Sequence, residues 1–171
     1  MAPPGFGRWW HGESIDEAWY RQIYDYRRES HAAYKRWFAA MEGALGRFDT
    51  VIEMGPGILE GYRDLYAGRR LTGLEISRKA VDWCRQHLAQ EGWEFLHCDV
   101  IADPPDRRAQ LVVSHGTIDN VYDVDACLRA LAAMTGSVLY VTNYRGYFHD
   151  MRDHRNLWDP ATEVCFNDIS A

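Results

Sequence analysis

Val51-Ile52-Glu53-Met54-Gly55-Pro56-Gly57 is the stretch that decides how this chain is organised. An apolar run ends in an acid, and two glycines follow with one residue between them. A buried strand would bring Glu53 to the carboxyl edge of a sheet. Gly55 and Gly57 remove the side chains that would block a nucleotide, and a helix is expected from Ile58. The stretch therefore predicts one wall of a nucleoside pocket.

Outward from it, the chain alternates short β-branched runs with helical segments, the pattern of a parallel sheet with crossover helices. Strands are expected at Thr50–Met54, Leu71–Glu75, Trp93–His97, Gln110–Ser114 and Ser137–Thr142. The helices between them are expected at Ile58–Ala67, closed by Gly68, at Arg78–Gln90 behind a Ser77 cap, and at Val124–Met134, closed near Gly136. Pro104-Pro105 places a turn within Asp103–Arg108. On the N-terminal side, Ser14 and Glu17 form a capping-box signature that opens a helical segment running to Leu45, with a break near Ser30. Within it Tyr20, Tyr24, His31, Tyr34, Phe38, Met41 and Leu45 recur at helical spacing, widened by Trp19, Ile23 and Trp37, so this face is expected to pack on the sheet or to cap the pocket.

Composition narrows the classes. A chain of 171 residues supports one well-buried domain. The net charge of −6 argues against a phosphate-binding surface and hence against nucleic acid as partner. With no long apolar run and no leader-like start, the expectation is a soluble, cytoplasmic protein without a membrane partner. The four cysteines, Cys84, Cys98, Cys127 and Cys165, are scattered without ligand spacing and are expected to be reduced. His149 and His154 read as solvated loop residues, so no metal is expected.

The acids carry the chemistry. Glu75 ends the second strand about 20 residues beyond Glu53, the spacing at which a carboxylate can accept from both ribose hydroxyls. Asp99 ends the third. Three acids at successive strand ends converge on the edge where open α/β sheets bind ligands. A dinucleotide fingerprint would put its third glycine at position 60, where Glu60 would oppose a pyrophosphate. No G-K-[ST] follows, which excludes a P-loop.

Glu53-Met54-Gly55-Pro56-Gly57-Ile58-Leu59 resembles the first motif, E/D-x-G-x-G-x-G, of the class I S-adenosylmethionine-dependent methyltransferases, with Leu59 in place of the third glycine. The resemblance covers roughly Phe48 to Tyr144. It implies a Rossmann-like three-layer α/β sandwich with a mainly parallel sheet, residues 48–171 forming the cofactor-binding core and residues 1–47 a helical cap within one structural domain. It also implies S-adenosylmethionine as cofactor and methyl transfer as the activity. By position, Gly55, Pro56 and Gly57 would line the methionine and ribose, Glu53 would lie near the ammonium, and Glu75 would hold the ribose hydroxyls. Asp99 would accept from the adenine amine, with Cys98 and Val100 against the ring, and Ile76 would also belong to the cofactor site. Ser114-His115-Gly116-Thr117-Ile118-Asp119-Asn120-Val121 resembles the family's S-x-G-x-L-E-H-V, in which Ser114 and His115 would face the methionine. Asp119 and Asn120 replace the commoner Glu and His.

The nucleobase-directed members carry N/D-P-P-Y after the fourth strand. Here Ser114-His115-Gly116-Thr117 stands in its place, so a small-molecule acceptor, methylated on O or N, is expected. His115 is the candidate general base, or a residue that only holds its loop. Tyr24, Arg27, Asp119, Asn143, Tyr144 and Arg145 are candidates for the acceptor side, with Trp9, Trp10, Trp19 and Tyr26 as further wall. The alternative reading is a cofactor-binding, non-catalytic subunit; a nicotinamide oxidoreductase is more distant. The stretch after the fifth strand is short for the helix and antiparallel strands that complete such sheets, so these are expected to be missing or incomplete. Truncation after Asn167-Asp168-Ile169 or a homodimer covering the edge is favoured over the tail lying along it.

Overall fold

The computed structural model describes residues 28–142, together with Ala18 and Arg21. Helix α1 (Arg28–Leu45) leads into β1 (Thr50–Met54), followed by a short 3-10 turn at Arg63–Tyr66 and β2 (Arg70–Glu75). Helix α2 (Arg78–His87), β3 (Trp93–His97), β4 (Ala109–His115), a second 3-10 turn (Ile118–Asn120), α3 (Val124–Met134) and β5 (Thr135–Thr142) complete it. The strands form one sheet in the order β3-β2-β1-β4-β5, and every pairing is parallel. This is the Rossmann-like α/β arrangement expected from the sequence.

Alternation along β1 sorts the core into two layers. Val51 joins Leu71, Phe95, Leu111 and Val113 under α1, α2 and the first 3-10 turn. Ile52 and Met54 join Leu74, Val112 and the buried face of α3. Because both faces are covered, β1 and β4 are buried along nearly their whole length, with apolar Val51-Ile52 and Leu111-Val112-Val113 at their centres. Glu53 shares the parity of Val51, which turns it towards the α1 side.

The caps follow the residues. Ser77 Oγ accepts from Ala80 N, and Asp123 Oδ1 accepts from Ala126 N at 2.9 Å. Helix α1 is pinned at its end by Arg69, which donates from Nη2 to Glu42 Oε2 at 2.8 Å and from Nη1 to the Phe48 carbonyl at 2.6 Å.

Four expectations need correction. No α-helix follows the glycine loop: Gly57, Leu59 and Gly61 have φ of 57°, 54° and 91°, and these left-handed residues interrupt the helical dihedrals that Ile58–Ala67 would need. Only the 3-10 turn remains, yet Ile58, Leu59, Tyr62 and Tyr66 are still buried. Helix α2 stops at His87 instead of Gln90, because Leu88 has left helical geometry. Strand β5 starts directly after Met134, at Thr135, and takes in Gly136; a Cβ there would lie 3.3 Å from the Ala109 carbonyl, beside the register irregularity between Ala109 and Leu111. In α1 the buried stripe is His31, Tyr34 and Phe38, while Trp37 and Leu45 are 66% and 61% exposed. No helix among the described residues is long and apolar enough to cross a membrane. The expected terminal antiparallel strands lie outside the described residues.

Candidate cofactor-binding site

Strand order reverses between β1 and β4, and a crevice opens at the carboxyl ends of parallel strands at such a switch point. The loops after β1, β2 and β4 meet there. Gly55 N donates to the Leu74 carbonyl at 2.8 Å, and the Gly55 carbonyl accepts from Thr117 Oγ1 at 3.2 Å. Gly55 has φ 71°, and a Cβ on it would collide with the Thr117 side chain. Glycine is required there by backbone and by space.

Glu75 closes the loop. Its Oε2 accepts from Gly57 N at 2.9 Å and its Oε1 from Ser77 N at 2.8 Å. Burial raises its pKa, and the backbone N–H groups of Ser77, Gly57 and Ile76 oppose that rise. The Gly57 carbonyl accepts from the Cys84 thiol at 3.2 Å, so both backbone groups of Gly57 are tied inward. Pro56, between the two glycines, is also buried.

Glu53 is 0% exposed, and its Oε1 accepts from the Tyr62 hydroxyl at 2.8 Å. Oε2 has no hydrogen-bond partner among the described residues. Burial pushes the carboxyl up to about 7; the Tyr66 and Tyr62 hydroxyls restrain it, and the Glu75 charge adds to it. Tyr66 in turn shares a 3.0 Å hydrogen bond with Tyr34 of α1.

On the β2 and β3 side, the Ile76 carbonyl lies 3.1 Å from His97 Nε2. A carbonyl only accepts, so that nitrogen carries a proton, and Arg78 Nη2 lies 3.3 Å from Nδ1. Asp99 Oδ1 accepts from Ile101 N at 3.0 Å and Ala102 N at 3.2 Å, and Oδ2 accepts from the Tyr122 hydroxyl at 3.1 Å. Cys98 is half-buried, and burial, followed by the Glu75, Asp99 and Asp103 charges, pushes its thiol up to about 11. Val100 is buried with Ile52, Met54 and Leu74, in the layer under α3.

After β4, Ser114 is fully buried and its Oγ has no hydrogen-bond partner among the described residues. His115, 8% exposed, stacks on Tyr34 with ring centroids 4.0 Å apart and planes within 10°. Tyr62 meets it edge-on at 5.4 Å, and His31 lies 5.8 Å away. Asp119 and Asn120 lie in the 3-10 turn Ile118–Asn120. Tyr24, Arg27, Asn143, Tyr144 and Arg145 lie outside the described residues, as do Trp9, Trp10, Trp19 and Tyr26. Among the described residues no group of three or more His, Cys, Asp or Glu could hold a metal ion.

A family model described as "Methyltransferase domain" matches residues 52–137, half of the chain. The chain belongs to this methyltransferase-domain family. Solved structures share its fold. One is the N-methyltransferase NodS from Bradyrhizobium japonicum WM9 in complex with S-adenosyl-L-homocysteine, with 15% identity, TM-score 0.57, and coverage of 72% of this chain and 63% of that one. Another is the sugar N-methyltransferase KedS8 from Streptoalloteichus sp ATCC 53650, with 17% identity, TM-score 0.61, and coverage of 78% of this chain and 56% of that one. Among curated proteins, the bifunctional helicase and thymine dioxygenase JBP2 of Trypanosoma brucei brucei is 27% identical over 109 residues, 60% of this chain and 10% of that protein. The chain thus spans a tenth of that relative and under two thirds of either solved protein.

In this methyltransferase domain, sequence reasoning missed Tyr62, Tyr66 and Thr117. Tyr62 and Tyr66 were absorbed into an expected helix, although two phenols four residues apart beyond a buried acid were a usable signal. His31 and Tyr34 were expected in the buried stripe, but no spacing tells which strand end they meet.

Proposed function

We propose that this chain is an S-adenosylmethionine-dependent methyltransferase acting on a small-molecule acceptor at O or N. The observation that carries the reading is the glycine loop closed onto Glu75 at the switch point, within a methyltransferase-domain chain. The residues present fit such a cofactor. Glu75 keeps lone pairs beyond those used by Gly57 and Ser77, so it can still accept from ribose hydroxyls. Glu53 offers an open acceptor oxygen to a positive charge near Gly55, Pro56 and Gly57. Asp99, with Ile76, Cys98 and Val100 around it, is assigned to the adenine end, and Ser114 and His115 to the methionine end. When bound, the cofactor supplies an electrophilic methyl group on a sulfonium.

The chain's own residues would hold the acceptor in line with that methyl and exclude water, and positioning of this kind carries much of the rate. His115 is assigned as the proton acceptor, its ring plane set by Tyr34. Residues 1–47 are assigned as a cap, with Tyr24, Arg27, Asp119, Asn143, Tyr144 and Arg145 on the acceptor side. The small-molecule acceptor is supported by the net acidic charge and by the sugar N-methyltransferase among the structural relatives. A cytoplasmic location and a homodimer complete the proposal. Calorimetry with S-adenosylhomocysteine tests it, and a folded sample that binds none refutes it. Glu75→Ala removes the acceptor for the ribose and for two loop N–H groups, so cofactor affinity should fall by roughly 1.5–3 kcal/mol; unchanged affinity refutes the ribose assignment.

A further inference from the structure

Tyr122 ties the loop after β4 to the loop after β3. In the sheet those two strands are separated by β1 and β2, which puts them roughly 14 Å apart. The Tyr122 hydroxyl nevertheless donates to Asp99, at 3.1 Å from Oδ2 and 3.4 Å from Oδ1. Val100, Ile101, Val121 and Val124 beside this pair belong to the apolar layer under α3, so the bridge closes the crevice on that side. Standing near both oxygens, the phenol covers the front of the carboxylate. The acid's orientation is set independently of it: Oδ1 accepts from Ile101 N and Ala102 N, and Asp103 N donates to the Asp99 carbonyl at 2.8 Å. With two backbone donors on Oδ1, the oxygen left to accept from a ligand is Oδ2, and the phenol rests on it. Tyr122 itself lies between two fixed points. Asn120 N donates to the Thr117 carbonyl in the second 3-10 turn, and Asp123 caps α3. The ring is half-buried, so it can swing about its own side-chain torsions while both anchors hold.

We propose that Tyr122 is an exchangeable latch at the base end of the site: its hydroxyl holds Asp99 before a ligand enters, is displaced by the amino group of an aminopurine nucleoside, and returns as the spent cofactor leaves. The latch rests on the assignment of Asp99 to adenine and deepens it. One donor replaces another, and no covalent bond changes. The incoming amine takes Oδ2, and the phenol turns out to solvent, where water satisfies it. Breaking the Tyr122 bond offsets part of what the amine gains, so the hydroxyl lowers affinity and speeds release. A purine without the amine brings no donor to this face and leaves the phenol where it is.

The test is titration calorimetry of the full chain and of its Tyr122→Phe variant with two probes. One is S-adenosylhomocysteine, and the other is its deamino analogue, with hydrogen in place of the 6-amino group. Phenylalanine keeps the ring and removes only the competing hydroxyl. S-Adenosylhomocysteine should bind the variant about three- to tenfold more tightly, the range that a displaced hydrogen bond gives, and leave it correspondingly more slowly. The analogue should bind the variant no more tightly than it binds the unaltered chain. A second measurement needs no variant: in the unaltered chain, hydrogen exchange at residues 121–123 should be faster with S-adenosylhomocysteine bound than with the analogue bound. Unchanged or weaker binding of S-adenosylhomocysteine by Tyr122→Phe, equal tightening of both probes, or equal exchange with both overturns the latch while leaving the cofactor reading intact. If the variant also binds both probes equally, the assignment of Asp99 to the base falls with it. Binding of neither probe by either protein overturns the cofactor reading as well.

Discussion

Glu53→Gln tests the electrostatics of the site without any ligand. Glutamine keeps the shape of the side chain and an acceptor for the Tyr62 hydroxyl, but it cannot ionise. In the folded protein burial raises the Glu53 carboxyl from an ordinary 4.5 to about 7. Between those values the folded state binds a proton that the unfolded chain has released, so stability falls as pH rises. The contribution is fully present below 4.5 and lost on passing 7. A separation of about 2.5 pH units, at about 1.36 kcal/mol per unit, gives roughly 3 kcal/mol. Urea unfolding of both proteins at pH 5, 6, 7 and 8 measures it. The difference in unfolding free energy should move in favour of the Gln variant by roughly 3 kcal/mol from pH 5 to pH 8, since groups distant from the site cancel in the comparison. Parallel stability curves would refute the argument, because they would mean that Glu53 titrates alike in the folded and unfolded chains.

Gly55→Ala forces a left-handed alanine, costing roughly 1–2 kcal/mol, and displaces Thr117 with loss of a hydrogen bond worth about 1 kcal/mol. Its thermal midpoint should drop together with its affinity for S-adenosylhomocysteine, and an unchanged midpoint would contradict the collision with Thr117. Arg69→Leu removes the ion-pair partner of Glu42 and leaves it the Phe48 N–H; because Glu42 keeps 19% of its side chain in solvent, the loss should be roughly 2–4 kcal/mol, below that of a fully buried pair. Burial would raise the Glu42 carboxyl, but the Arg69 and Phe48 hydrogen bonds and the Arg69 and Arg47 charges outweigh it and hold its pKa below 4.5. That stabilisation is present above pH 4.5 and disappears as pH falls through the folded value, so the Arg69→Leu penalty should shrink in acid denaturation experiments. A penalty constant down to pH 3 would count against the pair.

The sheet was legible because its signal is local. Thr50–Met54 and Trp93–His97 are bounded in the structure as their residues predict, and Ser77 caps α2 through the geometry its hydroxyl favours. The segment after the glycine loop was not legible. Ile58, Tyr62 and Tyr66 are spaced by four and are all buried, which is also what a helix would show. What breaks the helix is backbone conformation, and at Leu59 it is a left-handed conformation that no leucine signals. The position that holds glycine in the family's motif thus keeps glycine-like geometry without glycine. Helix α1 was legible as a helix but too broadly as a buried one. Trp37 stays in solvent because the contacts with the sheet and the loop are made by His31, Tyr34 and Phe38, and His31 packs so closely that a Cβ on Gly61 would lie 2.6 Å from its Nδ1.

The sequence presents Glu53 and Glu75 as equivalent acids at consecutive strand ends, and the structure separates them by the kind of donor each one meets. Glu75 faces two backbone N–H groups, which can only donate, so each of its oxygens is held as an acceptor and a proton on either would compete with one of them. Its role is fixed: it binds the loop as a carboxylate. Glu53 faces tyrosine hydroxyls, which can donate to a carboxylate or turn to accept from a carboxylic acid. Both of its protonation states can therefore be accommodated without rebuilding the site, and burial brings the two close to balance near neutral pH. Charge repulsion between the acids reinforces the division, since the Glu75 carboxylate makes it harder for Glu53 to ionise. One acid is held by backbone N–H groups of the glycine loop and the other by tyrosine hydroxyls, and the difference originates in Tyr62 and Tyr66 occupying the segment where a regular helix was expected.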